Sequence, residues 1–329
     1  MPHRAIWITE SDVTELISLP EAIDALERVL RMEAKGEATN MEKSHLMVAP
    51  NNAMHAIGGA VAGAGLCGTK TWINVDGKSQ TILVLFSLED GSLRAVIEAT
   101  ALGQLRTAAM TGVGTNRLAP AEADELAVIG SGKQALPQVA ASAAVRELNH
   151  VRVFSRRPEA REAFAESVRH TLGLRVTVAS TLKEVVADVP IVTLITNATE
   201  PFLRSTMVAH GSHINAMGAI VPARSEFAQD IFPRCDKIVV DSISSIRGLS
   251  AEFREHFRED EEAWNSVQTI SELVAQDTMR PANSDLTLFK AMGMGISDLA
   301  LGIEVLARAV KQGSTTTLPE RIRVPPRLL

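Results

Sequence analysis

Apolar residues recur at Ile23, Leu26, Val29 and Leu30, the three-and-four spacing that lines one face of a helix. Residues 9–36 therefore read as an amphipathic helical region. Ser11 or Asp12 can cap an opening turn, Pro20 suits the first turn of a restarted helix, and Gly36 stops it. The period then shortens. β-like runs occupy Ala56–Ala62, Thr69–Val75 and Thr81–Leu88, and the turn Glu89-Asp90-Gly91 leads into a hairpin partner, Leu93–Glu98. A helix over Ala101–Leu118 closes this α+β part of the chain.

Beyond it, strands and helices alternate. Leu126–Ile129 is a short buried strand followed by a glycine turn and a helix. Val151–Phe154, Arg175–Val178, Ile191–Ile195, His213–Met217 and Lys237–Val240 add strands, with a helix at Pro158–Leu172. Such alternation predicts a parallel, doubly wound sheet. The expected fold class is α/β: a Rossmann-type domain over 119–295 beside an α+β domain over 1–118. A last long helix, about Met292–Lys311, returns the chain to the first domain, which the C-terminal segment of about 296–329 joins. Gly293, Gly295, Ala300 and Gly302 lie on one side of it and permit close packing. The acidic stretch Glu255–Glu262 reads as a solvated helix face.

Composition narrows the function classes. A length of 329 residues fits about two domains, and 46% apolar residues can fill a large core. The net charge is −6, Tyr is absent, and no basic stripe appears, so nucleic-acid binding has no support. Cys67 and Cys235 are too far apart for a metal spacing or a disulfide framework, which favours two free thiols. Met1–Glu10 lacks the apolar segment of a signal peptide, and Ala53–Gly68 is too short to span a bilayer. The expectation is a soluble, cytoplasmic protein without membrane partners. His210 and His213 have no third ligand nearby, so no metal is expected.

The chemistry begins at Ile129-Gly130-Ser131-Gly132-Lys133-Gln134-Ala135, a G-x-G-x-x-A turn after a strand and before a helix. Gly130 permits the tight turn, Gly132 lets backbone approach a diphosphate, and Ala135 lets the helix pack on the sheet. The helix start offers free N–H groups to phosphate. NAD enzymes place an acid at the end of the second strand. Here that end reads Phe154-Ser155-Arg156-Arg157. A hydroxyl and two guanidiniums suit a 2′-phosphate, which favours NADP(H), with NAD(H) the alternative if the arginines are a solvated pair.

Three cations stand out upstream. Arg106 lies in a small, apolar helix, Lys70 in a strand, and Lys43 before Ser44-His45. A cation in apolar surroundings needs a partner. An anionic ligand is one candidate; a structural carboxylate for Arg106, or water for the lysines, is another.

These motifs, with Thr9-Glu10-Ser11-Asp12-Val13, Gly211–Gly218 and Phe289–Gly293 ahead of Asp298, resemble the ornithine cyclodeaminase/mu-crystallin family over nearly the whole chain. The resemblance implies a homodimer whose first domain binds substrate and dimerises. It assigns Lys43, Lys70 and Arg106 to the substrate carboxylate, with Lys70 and Arg106 catalytic. It assigns Thr107, Thr196, Asn197, Met217, Gly218 and Ala219 to the cofactor, alongside Gly130–Gln134 and Ser155–Arg157. One departure matters: cyclodeaminases carry a proton-transferring Asp where this chain has Ile220. A hydrocarbon cannot relay a proton. The expected activity is therefore NAD(P)H-dependent reduction of a small imino or ketimine carboxylic acid, or the reverse amino-acid dehydrogenation. Lys70 would polarise or protonate the imine. The alternatives are an ammonia-releasing ornithine cyclodeaminase and a non-catalytic NADPH-linked binding protein.

Overall fold

The chain folds around two sheets, and the computed structural model describes residues 4–49, 52–76, 78–313, 316–320, 322 and 324–328. After β1 (Ile6–Ile8), Thr9 caps α1 (Glu10–Leu16). The Thr9 hydroxyl accepts from Asp12 N while the Asp12 carboxylate accepts from Thr9 N. The cap is thus Thr9 and not Ser11 or Asp12, because Thr9 is the residue with extended backbone at the helix entrance. At α2 (Leu19–Ala34) the Glu21 carboxylate accepts from the Ser18 N–H at 2.8 Å and from its hydroxyl at 2.7 Å, and the helical region is two helices with a break between them.

The first sheet continues with β2 (Ala38–Asn40), β3 (Ser44–Ala49), β4 (Asn52–Val61), β5 (Leu66–Val75), β6 (Lys78–Ser87) and β7 (Leu93–Glu98). Its order is β1-β7-β6-β5-β4-β2, with β3 also on β4. β4 to β7 pair antiparallel in succession, and β1 joins β7 parallel. β2 and β3 escaped the pattern reading for a physical reason. β2 has three residues, and β3 leaves most of its side chains exposed, so pairing alone defines them. Leu83, Leu85, Ala95 and Ile97 bury one face in the main core. The register puts Leu46, Met54, Ile73, Ile82 and Phe86 on the other face, exposed.

The long helix α3 (Thr100–Leu118) leads to β8 (Glu125–Ile129), α4 (Ala135–Val145), β9 (His150–Phe154), α5 (Pro158–Leu172), β10 (Arg175–Val178), α6 (Leu182–Val186), β11 (Ile191–Leu194) and β12 (Ser212–Ala216). Then follow β13 (Cys235–Val240), α7 (Ile243–Leu249), α8 (Ala251–Phe257), α9 (Glu261–Trp264), β14 (Val267–Thr269), α10 (Ile270–Ala275) and β15 (Leu286–Lys290). The second sheet is parallel throughout, in the order β10-β9-β8-β11-β12-β15-β13-β14. This is the expected Rossmann-type, doubly wound α/β architecture. Strand order reverses between β8 and β11, and such switch points are where ligands bind.

Two expectations need correction. Glu255–Glu262 is not one helix: Arg258, at φ +47°, breaks it between α8 and α9, and Phe257 and Trp264 on either side are buried. The last long helix, α11 (Gly295–Gln312), starts three residues later than its apolar pattern suggested, because Gly293 has φ +92°. Gly295 then abuts β4: a Cβ there would sit 1.9 Å from the Gly58 carbonyl oxygen. β16 (Thr316–Thr317) pairs with β1 and returns the chain to the first sheet. Among the described residues no helix is long and apolar enough to cross a membrane.

Candidate active site

Lys70 owes its direction to strand alternation. It pairs opposite Ile57 and Leu83, both buried, so it points into the core with 4% of its surface exposed. There its Nζ meets Oδ1 of Asp298 at 2.5 Å. Arg106, on α3, brings Nε to 3.2 Å from the same oxygen. Asp298 lies in the first turn of α11, where the helix dipole favours a carboxylate, and it is fully buried. Burial pushes the Lys70 ammonium down to about 8; Arg106 and Lys43 act in the same direction, and Asp298 opposes them. Lys43, half-buried between β2 and β3, is also pushed down, by burial first and by Arg106 second, with Asp241 opposing. One carboxylate therefore serves two of three clustered cations.

The same register sets Trp72 and His55 on the Lys70 face. Their rings stack with centroids 4.7 Å apart, and Lys70 Nζ lies 5.1 Å from the Trp72 centroid. At the other end of the cluster, α3 begins on a carboxylate from α1: Glu10 accepts from Thr100 N at 2.6 Å and Ala101 N at 2.8 Å. That anchor fixes the helix that carries Arg106 and Thr107.

The glycine corner stands at the end of β8. Gly130 has φ +120°, and a Cβ there would lie 2.3 Å from the Ile195 carbonyl oxygen, so only glycine fits. A Cβ on Gly132 would meet nothing within 4 Å, which leaves open space above the backbone. Ser131 and exposed Lys133 flank it, and Gln134 opens α4 with its Oε1 buried and unpartnered. Room over glycine backbone and the free N–H groups of a helix start fit a dinucleotide diphosphate.

A cleft of about 280 Å³ joins the two halves. Gly132–Gln134, Ile195–Asn197, Met217, Gly218 and Ile220 form its sheet side. Arg106, Thr107 and Met110 form its α3 side, and Asp241, Met292 and Gly293 also line it. The remaining expected residues lie elsewhere. Ala219 is buried behind the wall, with its N–H on Glu226 and its carbonyl on Lys290. Ser155, Arg156 and Arg157 stand past β9, outside the cleft, with both guanidiniums exposed. The Thr107 hydroxyl donates to Gly103 O at 2.9 Å, and the Thr196 hydroxyl to Glu226 at 2.8 Å.

Sequence reasoning missed the buried carboxylates. Glu226 accepts from Thr196 N at 2.7 Å, Gly218 N at 2.9 Å and Ala219 N at 3.0 Å, tying together the loops after β11 and β12. Lys290, fully buried, holds the Ala219 carbonyl at 2.7 Å. The visible signal was a charge inside the apolar run Leu286–Met292. His213 is a core residue: it bonds Thr287 at 2.9 Å and Asn215 at 3.0 Å, and burial pushes it down to about 3. Among the described residues no group of three or more His, Cys, Asp or Glu side chains is placed to hold a metal ion.

The parallel sheet with its glycine corner and the cleft define a dinucleotide-binding-type protein in which the first sheet and α3 supply the cationic cluster. More specifically, the chain belongs to the Ornithine cyclodeaminase/mu-crystallin family, whose profile matches residues 4–313. It is 28% identical over 234 residues to Delta(1)-pyrroline-2-carboxylate reductase of Bacillus cereus, covering 70% of this chain and 72% of the relative. It is 28% identical over 326 residues to alanine dehydrogenase of Archaeoglobus fulgidus, covering 94% and 96%. A solved archaeal alanine dehydrogenase dimer with bound NAD superposes with a TM-score of 0.87 at 26% identity, covering 96% of this chain and 99% of that one.

Proposed function

We propose that the chain is an NAD(P)H-dependent oxidoreductase that reduces a small imino or ketimine carboxylic acid, or runs the reverse amino-acid dehydrogenation. The observation that carries this reading is the cluster of Lys43, Lys70 and Arg106, in which Asp298 pairs Lys70 and Arg106 and Arg106 lines the dinucleotide cleft. The surplus cationic charge calls for an anionic substrate group. Lys43 and Arg106 take the substrate carboxylate, and Lys70, paired with Asp298 behind the cleft lining, polarises the group beside it through its charge. When bound, the dinucleotide supplies or accepts the hydride. Gly130, Ser131, Gly132, Lys133 and Gln134 hold its diphosphate. Thr107, Thr196, Asn197, Met217 and Gly218 border its reactive end, and Glu226 with Lys290 keeps the Ala219 loop in place behind them. The pyrroline-2-carboxylate reductase and alanine dehydrogenase relatives support reduction at a C–N bond.

The cofactor preference is NADP(H), because Ser155, Arg156 and Arg157 replace the acid that would take a ribose hydroxyl. The working unit is a homodimer closed through the exposed apolar face of the first sheet. The enzyme acts in the cytoplasm. The cyclodeaminase reading is weaker because Ile220 lines the cleft where a proton-transferring side chain is needed.

The test is oxidation of NADPH, with NADH in parallel, against cyclic imine carboxylates and 2-oxo acids supplied with ammonia. Arg106→Ala should abolish turnover and keep dinucleotide affinity. Normal turnover by that variant would overturn the carboxylate anchor. Tight NADPH binding without turnover of any substrate would favour a binding protein, and ammonia released from ornithine would favour the cyclodeaminase.

A further inference from the structure

Besides its cations, the cleft contains an acid that the scheme above leaves unused. Asp241 directly follows β13 and is 1% exposed. Among the described residues lining the cleft it is the only carboxylate. Its Oδ2 accepts from Met292 N at 2.9 Å and Gly293 N at 2.6 Å, which occupies both lone pairs of that oxygen. Its Oδ1 has no hydrogen-bond partner. A buried polar atom in that state calls for an explanation, and a ligand that meets it is one.

The surroundings suggest which ligand group. Arg106 lies over Gly293, where a Cβ would come within 3.1 Å of Nη1, so the guanidinium borders the peptide whose N–H Asp241 holds. The charged groups within electrostatic reach of Asp241 are Arg106 on α3, Lys43 before β3 and Glu33 on α2. In an α-imino acid the nitrogen is two bonds from the carboxylate carbon. A substrate anchored on Arg106 therefore carries its nitrogen past this wall. Lys70 is less suited to reach it, since its Nζ donates to Asp298 at 2.5 Å and Lys70 is not part of the cleft lining.

Resting on the reading of the cleft as an imino-acid site, we infer that Asp241 is the catalytic acid that meets the substrate nitrogen and selects imines over 2-oxo acids. With Oδ2 occupied, its proton sits on Oδ1. The Oδ1–H bond breaks and the nitrogen lone pair takes the proton, giving an iminium held by the new carboxylate. Carbon then accepts the hydride supplied by the reduced nicotinamide, and the C=N π pair becomes the amine lone pair. The imine is reduced, the dinucleotide is oxidised, and Asp241 regains its proton from water. A ketone oxygen is far less basic than an imine nitrogen, so the same acid discriminates between them. Burial raises the Asp241 carboxyl above its ordinary range, against the backbone N–H groups of Met292, Gly293 and Ser242 and against Arg106, which keeps the proton available.

The decisive variant is Asp241→Asn, whose amide oxygen can keep the two backbone bonds. Imine kcat/KM should fall on the order of 10²-fold or more, with NADPH affinity by fluorescence titration within a few-fold of wild type. Calorimetry on the protein loaded with oxidised dinucleotide gives a second readout that also works on the wild type alone. A cyclic amino acid should bind more tightly than its carbocyclic carboxylic acid analogue and release about one proton per site, measured in two buffers. The carbocyclic acid should release none, and Asp241→Asn should lose both the preference and the proton. Turnover near wild type in Asp241→Asn, or equal proton release with both ligands, would overturn the assignment. If the wild type reduces no imine, the functional reading fails instead, and the paired-ligand calorimetry still tests Asp241.

Discussion

Lys70 Nζ lies 2.5 Å from Oδ1 of Asp298, and the two residues are 228 positions apart on different elements. The pair is buried and its acid is shared with Arg106, so Lys70 keeps its charge less firmly than a surface lysine. The sign follows. Lys70 is cationic below about 8 and neutral above it. Substrate affinity should hold up to that pH and then fall about tenfold per unit, well below the ordinary lysine range. A bound carboxylate favours the charged lysine, so the limb in kcat should sit at higher pH than the limb in kcat/KM. Asp298→Asn removes the opposing charge and should move both limbs down, with a stability loss of about 3–5 kcal/mol. Limbs unmoved by Asp298→Asn would disconnect Lys70 from the pH profile.

The arginines past β9 carry the cofactor preference. Arg156→Ala and Arg157→Ala should each raise the KM for NADPH roughly tenfold or more, the worth of a charge-assisted bond to phosphate. The KM for NADH should change by less than about twofold, because no 2′-phosphate is present to lose a partner. Equal effects on the two cofactors would show that the pair is solvated.

An apolar sheet face needs a cover. Ile82 and Phe86 stand on the outer side of β6, each 38% exposed, in a continuous surface with Ile73 and Met54. Ile82→Lys combined with Phe86→Glu should turn a dimer into a monomer in light scattering at micromolar concentration, while the isolated fold stays intact by circular dichroism. A wild-type monomer under the same conditions would remove the basis for the dimer.

His213 sets an acid limit on stability. Its folded value of about 3 lies below the ordinary 6.5, so protons bind the unfolded chain more readily. The stability it contributes is complete above pH 6.5 and declines as pH falls towards 3, by about 1.4 kcal/mol per unit. Denaturant titrations between pH 6.5 and 5 should show that slope, and His213→Asn should flatten it. A slope unchanged in the variant would assign the acid sensitivity to other groups.

Local signals in the sequence were enough to define much of this protein. Strand–helix alternation after residue 119 dictated a parallel sheet, and the glycine corner at Gly130–Ala135 announced itself because tight backbone geometry demands particular residues at fixed spacing. The family followed from ordered motifs, and Lys70 and Arg106 stood out as charges in apolar surroundings. What tertiary structure alone decided was pairing across distance. Asp298 against Lys70, Glu226 behind Gly218 and the unmatched oxygen of Asp241 depend on where separate elements dock. A carboxylate in a helix or after a strand looks the same in sequence whether it faces water or a buried cation. Only packing removes the water and gives it a partner.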